Sequence, residues 1–95
     1  MVKAKLKIEV DEEVRERERL IRRAVSDLIR SERQKQSSAL TQEKLASLAD
    51  ISFEHLNHIE NYKSTASLEV LDRISRALGF RRVSEFLAND ERRIL

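Results

Sequence analysis

Residues 41–61, TQEKLASLADISFEHLNHIEN, decide the fold of this chain. Thr41 and Ser52 each suit a helix N-cap, because their hydroxyls can accept a hydrogen bond from a free backbone N–H. Each cap also follows an aliphatic residue, Leu40 or Ile51, that is spaced to pack on the new helix as a hydrophobic staple. Asp50, which lies between the two segments, tolerates left-handed backbone geometry. The stretch therefore predicts two short helices joined by a tight turn.

The second of these helices has one apolar face and one polar face. At about 100° per residue, Leu56 and Ile59 point together toward a core. The opposite face carries short side chains that can form hydrogen bonds. It consists of Glu54, Asn57, His58 and Asn61, with Phe53, His55 and Glu60 on its flanks. Such a face could bind a metal, perform acid–base catalysis or read the edges of nucleic-acid bases.

Metal binding and catalysis have little support in the sequence. A zinc site needs three or four protein ligands, whereas EHLNH offers His55 and His58 three positions apart and is not the HExxH arrangement. No nucleophile motif and no glycine-rich phosphate loop accompanies the histidines. We therefore predict no metal, no cofactor and no enzymatic activity.

The remainder of the chain predicts further helices. From the N-cap Asp11 to about residue 35, apolar residues recur at helical spacing. They are Val14, Leu20, Ile21, Ala24, Val25, Leu28 and Ile29. Ser67 caps a later helix that the only glycine, Gly79, ends, and a last short helix begins at Ser84. The predicted fold class is all-α, a compact bundle of about five helices that contains a helix-turn-helix.

The first ten residues have a different period. MVKAKLKIEV alternates apolar and charged side chains, which is typical of a half-buried β-strand. Nothing later in the chain has this pattern, so we expect residues 1–10 to pair with the same strand of a second copy across a two-fold axis. A frayed, lysine-rich terminus is the alternative.

These patterns divide the chain into three parts. Residues 1–10 form an N-terminal arm, residues 11–88 form the helical domain with its motif at 41–61, and residues 89–95 form a tail. The tail is polar except for Ile94 and Leu95. We expect it either to be disordered or to pack those two residues on a partner.

Composition limits the possible partners. Charged residues make up 38% of the 95-residue chain and aromatic residues 4%, so a deep catalytic pocket is not expected. A net charge of +2 gives little general attraction for polyanions, and any nucleic-acid contact must be patterned. The absence of cysteine excludes disulfides and thiolate metal sites. No apolar run approaches the ~20 residues of a membrane span, and the start lacks a signal peptide, so we expect a cytoplasmic protein without a membrane partner.

Three spaced segments resemble the lambda-repressor-like (Xre/Cro type) helix-turn-helix family. They are TQEKLA at the opening of the motif, IEN at its close and SLEVLDRISRALG after it. The resemblance covers roughly residues 20–87 and implies a DNA-binding regulator, usually dimeric, whose second motif helix enters the major groove. The chain departs from the family at Asp50, where the turn usually has Gly, and at Tyr62, which replaces the Gly of ENGK.

The resemblance also implies a role for individual residues. The base-reading positions are Phe53, Glu54, His55, Asn57 and His58. The positions that contact the DNA backbone are Thr41, Gln42, Lys44, Ser52, Asn61, Lys63, Ser64 and Thr65. By their chemistry, Asn57 would bond adenine, Glu54 would accept from cytosine and His58 would donate to guanine.

The charge of the motif itself is unfavourable for DNA. Residues 41–65 contain Glu43, Asp50, Glu54 and Glu60 against Lys44 and Lys63. Attraction to phosphates must therefore come from helix starts and from cations elsewhere. The candidates are Arg30, Arg33, Lys35 and the Arg81–Arg82 pair.

We expect a homodimer that binds a two-fold-related operator in double-stranded DNA as a transcriptional repressor or autoregulator. Its half-sites would lie about one helical turn (~34 Å) apart. Phage regulators, restriction controllers and antitoxins all use this scaffold. The alternative is an antitoxin or adaptor whose main role is to bind a partner protein such as a toxin.

Overall fold

The computed structural model describes residues 7–36, 38 and 40–95. Within them the chain forms five helices: α1 (Lys7–Gln34), α2 (Gln42–Ala49), α3 (Phe53–Glu60), α4 (Leu68–Ala77) and α5 (Val83–Leu87). The second helix packs against α3 and α4, the first packs against α3, and the fifth packs against α4. The predicted all-α bundle of about five helices is confirmed.

A single hydrophobic core joins the helices. Phe86 of α5 is completely buried, and its ring meets the ring of Phe80 edge to face, with 5.5 Å between the centroids. The other buried members come from α1 to α4 and from the end of α4. They are Leu28, Ile29, Leu45, Ala46, Ala49, Leu56, Ile59, Leu71, Ile74 and Leu78. Because α3 contributes Leu56 and Ile59 to this core, its opposite face is fixed in direction.

The two N-caps predicted within residues 41–61 form. Thr41 Oγ1 accepts a hydrogen bond from the Lys44 N–H at 3.1 Å, and Ser52 Oγ accepts one from the His55 N–H at 3.0 Å. These contacts satisfy backbone donors that a helix start leaves without an intrahelical partner. The helices α2 and α3 therefore begin where the sequence pattern predicts.

The turn between α2 and α3 depends on Asp50. This residue is left-handed, with φ 55° and ψ 47°. The geometry lets the Ile51 N–H donate to the Ala46 carbonyl at 3.0 Å, which closes the end of α2. Asp50 thus takes the position that glycine usually occupies, as its tolerance of this geometry predicts.

The first helix starts earlier than the pattern predicts, at Lys7 and not at Asp11. Residues 7–10, which the alternating pattern assigned to a strand, belong to its N-terminal end. Lys, Glu and Ile fit a helix, and Val10 and Val14 are four positions apart on one helical face. The strand prediction for residues 1–6 lies outside the described residues.

Only the later part of α1 enters the core. Every side chain in residues 9–23 is exposed, and burial begins at Ala24. A 28-residue helix is about 42 Å long, and the described residues extend 51 Å along one axis but 24 and 19 Å along the others. The first part of α1 therefore projects from the bundle, with Val14, Leu20 and Ile21 of its apolar stripe exposed.

The C-terminal tail packs on its own chain. The Asp90 carboxylate accepts hydrogen bonds from the backbone N–H groups of Leu95 at 2.8 Å and Ile94 at 2.6 Å. The pKa of Asp90 lies below its usual value, and the hydrogen bond from Leu95 is the largest cause of this shift. The hydrogen bond from Ile94 lowers the pKa further. Arg17 of α1 donates to the Ile94 carbonyl at 2.7 Å. Asp90 and Arg17 therefore hold the tail against its own chain, whereas the packing of Ile94 and Leu95 on a partner stays a prediction.

Candidate nucleic-acid interface

The polar face of α3 is open to solvent, as the helical phase predicts. Phe53 and Glu54 in the first turn are exposed, whereas the remaining three base-reading candidates are half-buried. Those three are His55, Asn57 and His58. A half-buried side chain has fewer conformations available than an exposed one, and it loses less entropy when it binds. The side chains on the polar face of α3 are therefore accessible to a ligand, and the conformations of three of them are partly restricted.

Gln42 connects the start of α2 to α3. Its Nε2 donates to Glu60 Oε1 at 3.1 Å, and its Oε1 accepts from Asn57 Nδ2 at 3.0 Å. The contact orients the Asn57 amide while leaving its oxygen and second N–H for another partner. Because both ends of the Gln42 side chain are used internally, its backbone N–H at the helix start is the group that suits a phosphate.

Glu60 is completely buried beneath this link, although the sequence pattern placed it on the flank of the polar face. Arg33 donates to its two carboxylate oxygens at 3.0 and 2.9 Å. Arg30 donates to the Glu60 backbone carbonyl, and its Nε lies 3.9 Å from Glu60 Oε1. A buried carboxylate is tolerated when charged hydrogen bonds surround it in this way. Helical phase could have predicted this burial, because Glu60 lies only about 40° around the helix axis from the buried Leu56.

Several cations expected to attract phosphate are engaged within the domain. Arg33 is committed to Glu60, and Lys35 forms an ion pair with Glu32 at 3.2 Å. Arg81 and Arg82 are exposed, and no ion pair with the described residues engages them. The expectation that Arg33 supplies free positive charge is therefore wrong, because the buried carboxylate of Glu60 engages it. Lys35 keeps an exposed side chain, and its role as a phosphate contact stays a prediction.

Tyr62 anchors the loop that follows α3. It takes the left-handed conformation, with φ 64°, at the position where the family has glycine. Its hydroxyl donates to Asp27, and the guanidinium of Arg23 lies 4.4 Å from the ring centroid. The hydrogen bond to Asp27 is the largest cause of a raised pKa for Tyr62. These contacts to α1 offset the strain of the left-handed backbone at Tyr62, and the Lys63 that follows is exposed.

The hydroxyl groups of Thr41 and Ser52 each keep an O–H donor beside the cap hydrogen bond. In each cap the oxygen accepts a backbone hydrogen bond, so its own O–H can still point to a phosphate. Lys44 is exposed one turn into α2, and Asn61 is exposed at the end of α3, where its Nδ2 donates to the Asn57 carbonyl at 2.8 Å. These residues lie at the start of α2 and at the two ends of α3.

Ser64 and Thr65 lie elsewhere. Both line a largely apolar groove of about 280 Å³ between α1, α4 and the C-terminal tail. Ile21, Leu68 and Leu95 also contribute to its walls. The structure therefore separates these two candidates from the caps of α2 and α3.

One of three comparisons with known proteins found a match. A family model described as helix-turn-helix matches residues 29–86, more than half of the chain. The match runs from the buried end of α1 to Phe86 of α5. No curated protein and no solved structure is significantly similar to the chain.

Across residues 7–36, 38 and 40–95, no three side chains of His, Cys, Asp or Glu are grouped so that they could hold a metal ion. In the same part of the chain, no helix is both long and apolar enough to cross a membrane.

Proposed function

The chain belongs to the lambda-repressor-like helix-turn-helix family of DNA-binding transcription regulators, and from this we propose that it is a homodimeric repressor or autoregulator. Each copy would place α3 in the major groove of one half of a two-fold-related operator. The observation that carries this proposal is the hydrogen bond from Asn57 to Gln42, because it holds a base-reading amide in place on the open face of α3.

The chemistry of α3 assigns a base to each reading residue. Asn57 presents an oxygen and an N–H for adenine, and His58 donates to guanine. Glu54 accepts from the amino group of cytosine, and Phe53 covers a thymine methyl group. His55, which follows Glu54 on the flank of the same face, is an additional reader.

Affinity would come from contacts around α3. The cap hydroxyls of Thr41 and Ser52, the N–H of Gln42 and the lysines at 44 and 63 contact phosphates. Arg81 and Arg82 are the exposed cations that compensate for the acidic motif. Asn61 lies at the end of α3, where it can contact a phosphate. Ser64 and Thr65 contact the DNA only if the DNA backbone extends to the groove beside α4.

An antitoxin or adaptor role is the second candidate, and the groove beside α4 favours it. Its largely apolar walls include two exposed leucines, Leu68 at 66% and Leu95 at 41%, and contiguous exposed apolar surface is typical of protein contacts. In such a protein, Leu68→Asp would abolish a complex with a purified toxin and would leave operator binding intact. Loss of both activities would count against a separate partner surface.

Selection from random duplex DNA, at stated salt concentrations, tests the operator proposal. We expect enrichment of a two-fold-related sequence with half-site centres about 34 Å apart. The logarithm of the affinity should fall linearly with the logarithm of the salt concentration, because each phosphate contact releases counterions. A protein that enriches no sequence and shows no salt-dependent binding would contradict the proposal.

A further inference from the structure

The projecting part of α1 carries an apolar seam. Val10, Val14 and Ile21 are 39, 48 and 36% exposed and lie on one helical face. Alternating steps of three and four residues, typical of a coiled coil, run through Lys7, Val10, Val14, Arg17, Ile21, Ala24 and Leu28. Ala24 and Leu28 use this seam to enter the core, whereas Val10, Val14, Arg17 and Ile21 are exposed. A single helix that projects into water is only marginally stable, so the seam fits a second helix.

The charge pattern of α1 indicates which helix covers this seam, namely α1 of a second copy. Residues 9–13, EVDEE, contain four acids and no base, whereas residues 15–23, RERERLIRR, contain five arginines and two glutamates. Two such helices in parallel would place acid beside acid and arginine beside arginine. In an antiparallel pair, the acidic segment of each helix lies beside the arginine segment of the other.

We infer that two copies of this chain pair through antiparallel α1 helices. The inference rests on the homodimer of the proposed function and names the surface that forms it. In the register that overlaps the exposed segments, Val10 lies across from Ile21 of the partner subunit, and Val14 lies across from Arg17 of the partner subunit. Arg17 fits this position because its guanidinium is drawn away to the Ile94 carbonyl, which leaves its aliphatic stem on the seam.

Engineered cysteines test this arrangement directly, because the natural chain has none. Val10→Cys and Ile21→Cys are prepared as separate full-length proteins and oxidised alone and as a mixture. The antiparallel pair predicts a disulfide between the two variants in the mixture, and little crosslinking of either variant alone. Two Val10 positions would be about 16 Å apart along the pair, too far for a disulfide. Crosslinking of each variant with itself, or none in the mixture, would overturn the inference.

Sedimentation measures the contribution of the seam. Val14→Lys should raise the dimer dissociation constant at least tenfold, since it places a charge in the seam. The control is Leu48→Lys, which changes a leucine of α2 that is 58% exposed and should leave the constant within about twofold. Equal effects of the two substitutions would contradict the seam.

The outcomes separate the helix pair from the proposed function. Operator selection by the unmodified protein, without the mixed disulfide, refutes the helix pair and leaves DNA reading in place. The mixed disulfide in a protein that selects no operator refutes the proposed function and retains the helix pair.

Discussion

Arg33→Ala is expected to lower the free energy of unfolding by about 3–5 kcal/mol, because it leaves the carboxylate of Glu60 buried without its main partner. Glu60 has no exposed surface, and Arg33 supplies hydrogen bonds to both of its oxygens. Arg30 and Gln42 touch the same group but cannot replace two short charged bonds. Urea denaturation at neutral pH measures the change.

Two further variants make this test specific. Arg76 forms an exposed ion pair with Asp72 at 3.2 Å, so Arg76→Ala should cost less than about 1 kcal/mol. The double variant Arg33→Met/Glu60→Met removes both charges and should be far less damaging than Arg33→Ala alone. If Arg33→Ala costs no more than Arg76→Ala, the buried pair does not hold α1 to α3.

The same pair is linked to the polar face of α3, the proposed reading surface. Glu60 accepts from Gln42, and Gln42 accepts from Asn57, so the Gln42 side chain connects the core ion pair to the amide that we propose reads a base. A folded Arg33 variant should therefore lose sequence preference at the base that Asn57 reads. This link gives the buried charges a role in positioning as well as in stability.

Leu56→Ala is the second substitution with a large expected effect, a loss of about 2–5 kcal/mol in the free energy of unfolding. Leu56 is completely buried and, with Ile59, fixes α3 to the core. Truncation of its side chain leaves a cavity under α3, because the neighbouring side chains can relax only in part. Thermal or urea denaturation measures the loss.

Leu48→Ala is the matched control for this substitution. Leu48 lies on α2 and is 58% exposed, so its truncation should change stability by no more than about 0.5 kcal/mol. Similar losses for the two variants would mean that α3 is not anchored through Leu56. The direction of its polar face would then need another cause.

Local signals in the sequence predicted the part of the fold that presents α3. Thr41 and Ser52 cap their helices, and Asp50 forms the left-handed turn, since each depends on chemistry within a few residues. Gly79, with φ 98°, likewise follows the end of α4. Helical phase correctly placed Leu56 and Ile59 in the core for the same reason.

Contacts between distant residues were not predictable in this way. Glu60 is buried because Arg33, 27 positions earlier, reaches it from another helix. Tyr62 accepts a left-handed backbone because Asp27 and Arg23 of α1 hold its side chain. The alternating residues at 7–10 fit both a strand and a helix, and continuity with α1 decides between the two. Pattern alone does not distinguish such cases.

Base-resolved binding by Asn57→Ala and His58→Ala tests the reading role of α3. On the selected operator, each variant should lose about 1–3 kcal/mol at one base position and keep its affinity for unrelated DNA. His58 is the cleaner probe, because its side chain makes no hydrogen bond with the described residues, whereas Asn57 also contacts Gln42. Lys63→Ala is the control for phosphate contact, and it should weaken binding to all sequences alike. A uniform loss from His58→Ala and Asn57→Ala, with base preferences unchanged, would contradict the assignment of α3 as the reading helix.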